Sequence, residues 1–445
     1  MQRDGVDITP GATLPLESER VAATAGVTLR EHAVWLALIL VLAFIFRLVW
    51  VSFSEWQPTY DDDAFRYDFA ARSLVHGHGY IHLNGAPTAF WPPGYPLLLA
   101  AAYRVFGASV GVAQFLNVLL GTATVGLVYL IGRRALGPWP ALVGASIVAG
   151  FPSLVFFTAV TLSEVAFTFL TLLAIYLLML EAERGRPRHL RLLLAAGLVL
   201  GLASLVRGQA LLLPIVLIPF WLRSGVRWSA VVDKLVALVL GIGLIVAPWS
   251  IRNVIELEAP VLISTNAGVD FWIGHHEGAA GGLESADELV FSYPELSTAE
   301  REVRVNAEGF RRGLKYALTH PLAELALPFR KLFYLYYNDE EGLKWNEGHG
   351  GQPFLGDRLR EALSTLSNVY YFAVLGFLIL GAPLWFSLRD PGRLLLISLV
   401  SYWTLVHLAF FGDPRFHAPI MPAVALLAAL PWVALWSGRL PWAPR

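Results

Sequence analysis

The run AVWLALILVLAFIFRLVWVSF, residues 33–53, is followed after a short polar link by Tyr60-Asp61-Asp62-Asp63-Ala64-Phe65. The first stretch is long and apolar enough to cross a hydrocarbon layer of about 30 Å as a helix. The second sets three carboxylates where the chain leaves that layer, an expensive placement unless they bind or react with something. Residues 33–53 are followed by further apolar windows near 110–132, 139–158, 164–181, 190–206, 209–222, 231–249, 367–387, 394–411 and 416–436. The expected fold is therefore an all-α integral membrane protein of about ten transmembrane helices.

The composition agrees. Of 445 residues, 56% are hydrophobic and only 15% charged, which excludes an ordinary soluble protein. The net charge of -1 and the scattering of arginines among apolar runs offer no basic field for nucleic acid. There is no cysteine, so the external loops carry no disulfide, thiolate ligand or cysteine nucleophile.

The short connections set the orientation. Arg133-Arg134, the Arg184–Arg191 segment, Arg223 with Arg227, Arg389 with Arg393, and Arg439 all fall on one side, which the positive-inside rule makes cytoplasmic. An even number of spans leaves both termini there and two long loops outside. The chain then divides into a disordered cytoplasmic tail (1–32), an N-terminal membrane module (33–249) that includes a catalytic outer loop (54–109), a second extracytoplasmic region (250–366), C-terminal membrane helices (367–436) and a short tail (437–445). The expected location is the inner or plasma membrane, with the active site on the extracytoplasmic side.

Both loops contain surface helices. Asp63 is placed to cap a helix running to about Leu74, with Phe65 and Phe69 on one face and Asp68 paired with Arg72 on the other. Leu97 to Phe106 is an apolar helix of about 15 Å, too short to span. In the second loop, Thr298–Thr319 is a charged helix, and Pro321–Tyr337 is amphipathic, suited to the headgroup layer.

Several motifs recur in order along the chain: Asp62-Asp63-Ala64-Phe65, Gly77-His78-Gly79-Tyr80, Pro92-Pro93-Gly94-Tyr95-Pro96-Leu97, Ser163-Glu164, Pro248-Trp249 with Arg252-Asn253, Ser264-Thr265-Asn266 with Trp272-Ile273-Gly274, and Arg415-Phe416 before Pro419 and Pro422. Together they resemble the C-type glycosyltransferases, in particular the bacterial family-39, protein-mannosyltransferase-like branch that includes the lipid A aminoarabinose transferase. The resemblance implies an enzyme that moves a sugar from a polyprenyl-monophosphate donor to a lipid, polysaccharide or protein acceptor, with inversion at the anomeric carbon. It also implies that Asp62 stands where the family places its catalytic base. The family's common pair is Asp-Glu; here there are three aspartates, so Asp61, Asp62 and Asp63 all remain candidates.

Inverting transfer needs a base for the acceptor hydroxyl and cationic donors for the departing phosphate. Arg66, Arg207, Arg252, Arg330, Lys331 and Arg415 stand at outer helix ends and are the phosphate-binding candidates; Arg207 and Arg415 break the positive-inside pattern in short outer turns. Glu164, His78, Tyr95, Asn266 and Trp272 are the substrate-contact candidates, while Arg47, inside the first span, belongs to internal pairing. His275-His276-Glu277 lacks a spaced third partner, so no metal is expected, a cation at the acidic motif being the less favoured reading. No cofactor is expected, since no nucleotide-binding glycine loop is present and the donor arrives already activated. The alternative reading is a polytopic transporter or flippase for a lipid-linked or small polar substrate. It predicts inverted repeats with paired broken helices, which the sequence does not display.

Overall fold

A computed structural model describes residues 17–59, 62–182, 188–347 and 353–436. Among them there is no strand. The first helix, α1 (Glu17–Phe53), begins well before the expected span, so residues 17–32 are helical, while 1–16 and the tail 437–445 lie outside the described residues. The first outer loop carries α2 (Asp63–Val75) and α3 (Gly94–Phe106). The bundle continues with α4 (Val110–Ala135), α5 (Pro138–Ala149), α6 (Pro152–Phe156), α7 (Glu164–Ala182), α8 (Arg188–Val206), α9 (Leu213–Arg223) and α10 (Trp228–Leu257). The second loop holds α11 (Ala267–Ile273), α12 (Asp287–Val290), α13 (Thr298–Thr319), α14 (Pro321–Tyr336) and α15 (Glu341–Glu347). Then α16 (Asp357–Leu380), α17 (Ala382–Trp385), α18 (Pro391–Ala409) and α19 (Met421–Trp436) complete the chain.

Eight helices are long and apolar enough to cross a membrane, and Pro138–Ala149 with Pro152–Ala159, bent by 59°, makes a ninth if taken as one broken span. The tenth expected span, 209–222, is a shorter apolar segment, Gly208–Arg223. It opens as a 3-10 turn, Gly208–Leu212, whose steeper rise lets it reach roughly 26 Å. It still joins the two ends of the bundle: Arg207 lies with Glu164 at one end, and Arg223 donates to the Arg389 carbonyl at the other (3.0 Å). Two loop boundaries also move. The helix expected to end at residue 249 continues to Leu257, which puts Arg252 and Asn253 inside α10, and α16 starts at Asp357 rather than 367.

Close packing rests on small residues. Where α8 meets α10, a Cβ on Gly197 would come within 2.9 Å of the Leu238 carbonyl, and one on Gly241 within 2.8 Å of Gly197, so the two backbones approach as only glycine allows. The break between α5 and α6 frees backbone carbonyls in an apolar setting, and Arg47 takes them up. Its Nη1 donates to Ala43 (3.0 Å) and Ala149 (3.2 Å), and its Nη2 to Val148 (3.3 Å). Arg47 is thus a structural pin of the first span.

Candidate active site

The acidic motif opens α2, but the capping residue is Asp62, not Asp63. The Phe65 amide donates to Asp62 Oδ1 at 2.6 Å, and the positive end of the helix favours that carboxylate. This frees Asp63, in the first turn, to face the bundle. Asp61 lies outside the described residues. As expected, Asp68 pairs with Arg72 (2.6 Å) and Phe65 stacks on Phe69.

Asp63 begins a continuous chain of charge. Its Oδ1 accepts from Trp91 Nε1 (3.0 Å), and its Oδ2 from Arg415 Nη1 (2.9 Å). Arg415 turns its Nε to Glu164, and the same Glu164 oxygen receives Arg207 Nη2. Arg207 Nε in turn donates to Ser163 Oγ (3.0 Å). Four separate elements therefore meet here: the head of α2, the head of α7, the turn after α8, and the 3-10 turn Pro414–Ile420 that precedes α19. Glu164 is 2% exposed and both guanidiniums about 10% or less, whereas Asp63 is 36% exposed and forms the open edge of the cluster. Burial works to raise the Asp63 pKa, but the Arg415 guanidinium and the Trp91 hydrogen bond outweigh it and hold the carboxyl below its usual range.

Aromatic rings wall the cluster. Arg415 lies over Trp345 (4.8 Å), Arg207 over Phe416 (5.6 Å), and Arg66 over the outer side of Trp91 (5.4 Å). Two charges oppose two charges, so the cluster is formally neutral. Arg207 Nη1 and Arg415 Nη2 nevertheless have no acceptor among the described residues, leaving each guanidinium one nitrogen to offer an incoming anion.

Several candidates lie elsewhere. His78 is exposed at the far end of α2, about 20 Å from Asp63 by helical rise, and sits between Gly77 (φ 80°) and Gly79 (φ 82°). The Gly-His-Gly spacing serves a left-handed turn rather than a substrate. Tyr95 is fully buried, its hydroxyl donating to Asn117 (3.2 Å) and its ring set edge-on to Tyr67 behind the site. Trp272 is buried in a satellite core with Val269, Leu289 and Val305, and its ring stacks on His276, so it presents no open platform for a sugar. Arg252 spends its guanidinium on the carbonyls of Tyr80 (2.7 Å) and Thr88 (2.8 Å), holding the first loop to α10. Arg330 is exposed on α14. Lys331 is buried against His275 Nε2 (3.1 Å), and burial pushes its amine down to about 8. His275 also meets Glu324 (2.9 Å), while His276 meets Glu284 (3.2 Å), so the adjacent histidines diverge. Among the described residues no three His, Asp or Glu side chains gather as a metal-ligand set.

Asn266 stands at the head of α11 and accepts from Ser264 Oγ (2.7 Å). Its Nδ2 donates to Asp270 Oδ2 (3.2 Å), a residue that the sequence did not single out. Burial, then the negative charge of Asp63, raise the Asp270 carboxyl to about 7 against the pull of Arg207. Its sequence signal was only a carboxylate in the first turn of a short helix, one of many such positions.

Comparison with known proteins bears on the fold. The family model for dolichyl-phosphate-mannose-protein mannosyltransferase matches residues 91–251. The archaeal oligosaccharyltransferase AglB from Archaeoglobus fulgidus, solved with an inhibitory peptide and a dolichol-phosphate, superposes over 93% of this chain with a TM-score of 0.54 at 15% identity. Its apo form superposes over 92% with a TM-score of 0.55 at 14% identity. The chain spans about half the length of that enzyme, 52% and 51% in the two structures. ArnT from Cupriavidus metallidurans, bound to undecaprenyl phosphate, aligns over 87% of this chain and 77% of its own at 14% identity, with a TM-score of 0.43. No curated protein matches the sequence. The chain thus shares the fold of that archaeal oligosaccharyltransferase over most of its length, as its motifs led us to expect, and is a multi-pass membrane protein.

Proposed function

We propose that this chain is an inverting glycosyltransferase that takes a sugar from a polyprenyl-monophosphate donor and passes it to a hydroxyl-bearing lipid, polysaccharide or protein acceptor. The observation that carries the reading is the buried chain Asp63–Arg415–Glu164–Arg207, with one nitrogen of each guanidinium left over. In the reaction the acceptor oxygen loses its proton to a carboxylate and bonds to the anomeric carbon. The bond from that carbon to the phosphate oxygen breaks, and the phosphate departs with the electron pair. Arg207 Nη1 and Arg415 Nη2 are the donors available to that growing charge. Held in place by Glu164, they need little reorganisation as it develops. Trp91 and Trp345 flank the space in which the sugar would lie. No cofactor enters this scheme, because the phosphate ester already activates the sugar.

The fold likeness to an oligosaccharyltransferase and the match to a mannosyltransferase family support this reading over a transporter. The arginine-rich short connections support a site on the extracytoplasmic face of the inner or plasma membrane. There the exposed Arg330 and the apolar residues around it on α14 meet lipid headgroups.

Native mass spectrometry of the purified protein in mild detergent, with polyprenyl-phosphate hexoses and pentoses, tests the proposal. Retention of one donor by wild type, and its loss in Arg415→Ala, is the expected result. Failure to retain any donor would overturn the reading and return weight to transport.

A further inference from the structure

His417 stands two residues beyond Arg415 in the 3-10 turn Pro414–Ile420, and the reaction as described gives it no task. It is wholly buried, yet both ring nitrogens face acceptors: Nδ1 the Leu335 carbonyl (2.8 Å) and Nε2 the Asp339 carboxyl, at Oδ1 (2.9 Å). A carbonyl only accepts, so Nδ1 carries a proton. A second proton is then shared between Nε2 and the carboxyl, because a neutral ring against a bare carboxylate would set two acceptors face to face. Burial raises the Asp339 carboxyl, and the His417 hydrogen bond works against it. The imidazole also lies nearly parallel to the rings of Tyr371 (4.8 Å) and Tyr336 (6.0 Å).

Asp339 is fixed independently of His417. Its amide donates to Asn368 Oδ1 on α16 (3.0 Å), and it leads directly into α15, the helix that carries Trp345. That helix is seated on the bundle at two points. A Cβ on Gly342 would come within 2.7 Å of the Ser153 carbonyl, and Asn346 Nδ2 donates to the Phe156 carbonyl (3.0 Å), so α15 rests on the backbone of α6. Opposite it, the turn carrying Arg415 is tied at three successive residues. The Arg415 amide donates to Asp413 Oδ1 (2.9 Å), the Phe416 carbonyl accepts from Trp403 Nε1 (2.6 Å), and His417 reaches Asp339. The last of these ties crosses to the segment of Trp345, whose ring lies under the Arg415 guanidinium (4.8 Å). Two contacts therefore close a ring, Asp339 to His417 at one end and Trp345 to Arg415 at the other.

We propose that His417 and Asp339 are a positioning pair: their shared-proton hydrogen bond holds the Arg415 turn to the head of α15, so that the Arg415 guanidinium and the Trp345 ring meet the donor as one unit. This rests on the transferase reading above. The pair needs no contact with substrate, because it acts through Arg415, whose Nε and Nη1 already engage Glu164 and Asp63. A guanidinium displaced by about 1 Å no longer matches the phosphate oxygens, so a tie remote from the chemistry reaches it.

The test is a double-mutant cycle on the affinity for undecaprenyl phosphate, the departing half of the donor without its sugar, titrated by native mass spectrometry of the full chain in mild detergent. Asp339→Ala should bind it about 10-fold more weakly than wild type. In an Arg415→Ala background, where Arg207 still serves the phosphate, the same change should cost nothing further. Asp339→Asn, whose amide can donate to Nε2 of a neutral ring, should recover most of the loss. Should Asp339→Ala not fold, His417→Phe combined with Asp339→Asn removes the tie while keeping a ring against the tyrosines and orphaning no charge, and it carries the same cycle. Wild-type affinity in the broken pair, an equal loss with and without Arg415, or an Asp339→Asn protein as weak as Asp339→Ala overturns the pair and leaves the transferase reading standing. A wild type that binds no undecaprenyl phosphate overturns both.

Discussion

Glu164 is caught between two guanidiniums in a setting almost closed to water, and its charge keeps them from repelling each other. Glu164→Gln should therefore cost about 3–5 kcal/mol, the usual penalty for leaving a buried charge without its partner, read as a lower unfolding midpoint in detergent. A midpoint equal to wild type would show that the ion chain contributes nothing to folding. Asp270 makes the opposite prediction. Its folded pKa of about 7 lies above the ordinary 3.8, so the folded state holds the proton more tightly. Stability from this group is complete below the ordinary value and declines as pH rises through the folded one. Asp270→Asn should then be at least as stable as wild type at pH 8, and a less stable variant there would contradict the burial argument. The difference between these residues also explains what could be read in advance. Glu164, Arg207 and Arg415 stand out because a charge in an apolar run demands a partner. Asp270 lies in a polar loop, where a carboxylate demands nothing, and its burial comes only with the packing of α11 on α13.

At the scale of elements, local signals were legible where they were local in origin. The charged helix expected at Thr298–Thr319 has those bounds, with a capping box between Ser297 and Glu300. The helix after the acidic motif was anticipated too, but its cap is one residue earlier, since either aspartate satisfies the sequence pattern and only the backbone decides. The extension of α10 to Leu257 was hidden because Pro248 reads as a helix end, yet the bundle holds the helix together through it. Close approaches of backbone between elements were not legible. Gly268, which the sequence did not single out, is the contact point of two helices. Gly268→Ala should push α11 off α13, lowering both stability, by about 1–3 kcal/mol, and turnover. Gly243→Ala, which meets nothing within 4 Å, is the matched control. Equal behaviour of the two variants would show that the close approach of α11 to α13 is not needed.

For the whole molecule, hydropathy gives about ten spans, where eight helices, or nine with the broken pair, are long and apolar enough to cross a membrane; the segment expected at 209–222 is the shorter Gly208–Arg223, because a window of apolar residues does not report how the backbone is wound. The natural lack of cysteine makes topology directly testable. A single Ser285→Cys, exposed in the second loop, should react with a membrane-impermeant maleimide from the extracytoplasmic side, and Ser224→Cys, exposed in the turn after α9, only after permeabilisation. The reverse pattern would place the site in the cytoplasm. The central claim, that two arginines locked by Glu164 receive the departing phosphate, is tested most directly by single-turnover release of polyprenyl phosphate from the bound donor. Wild type should release it in step with loss of the sugar, while Arg415→Ala and Arg207→Ala should each slow release at saturating donor. Release at the wild-type rate from both variants would contradict the account.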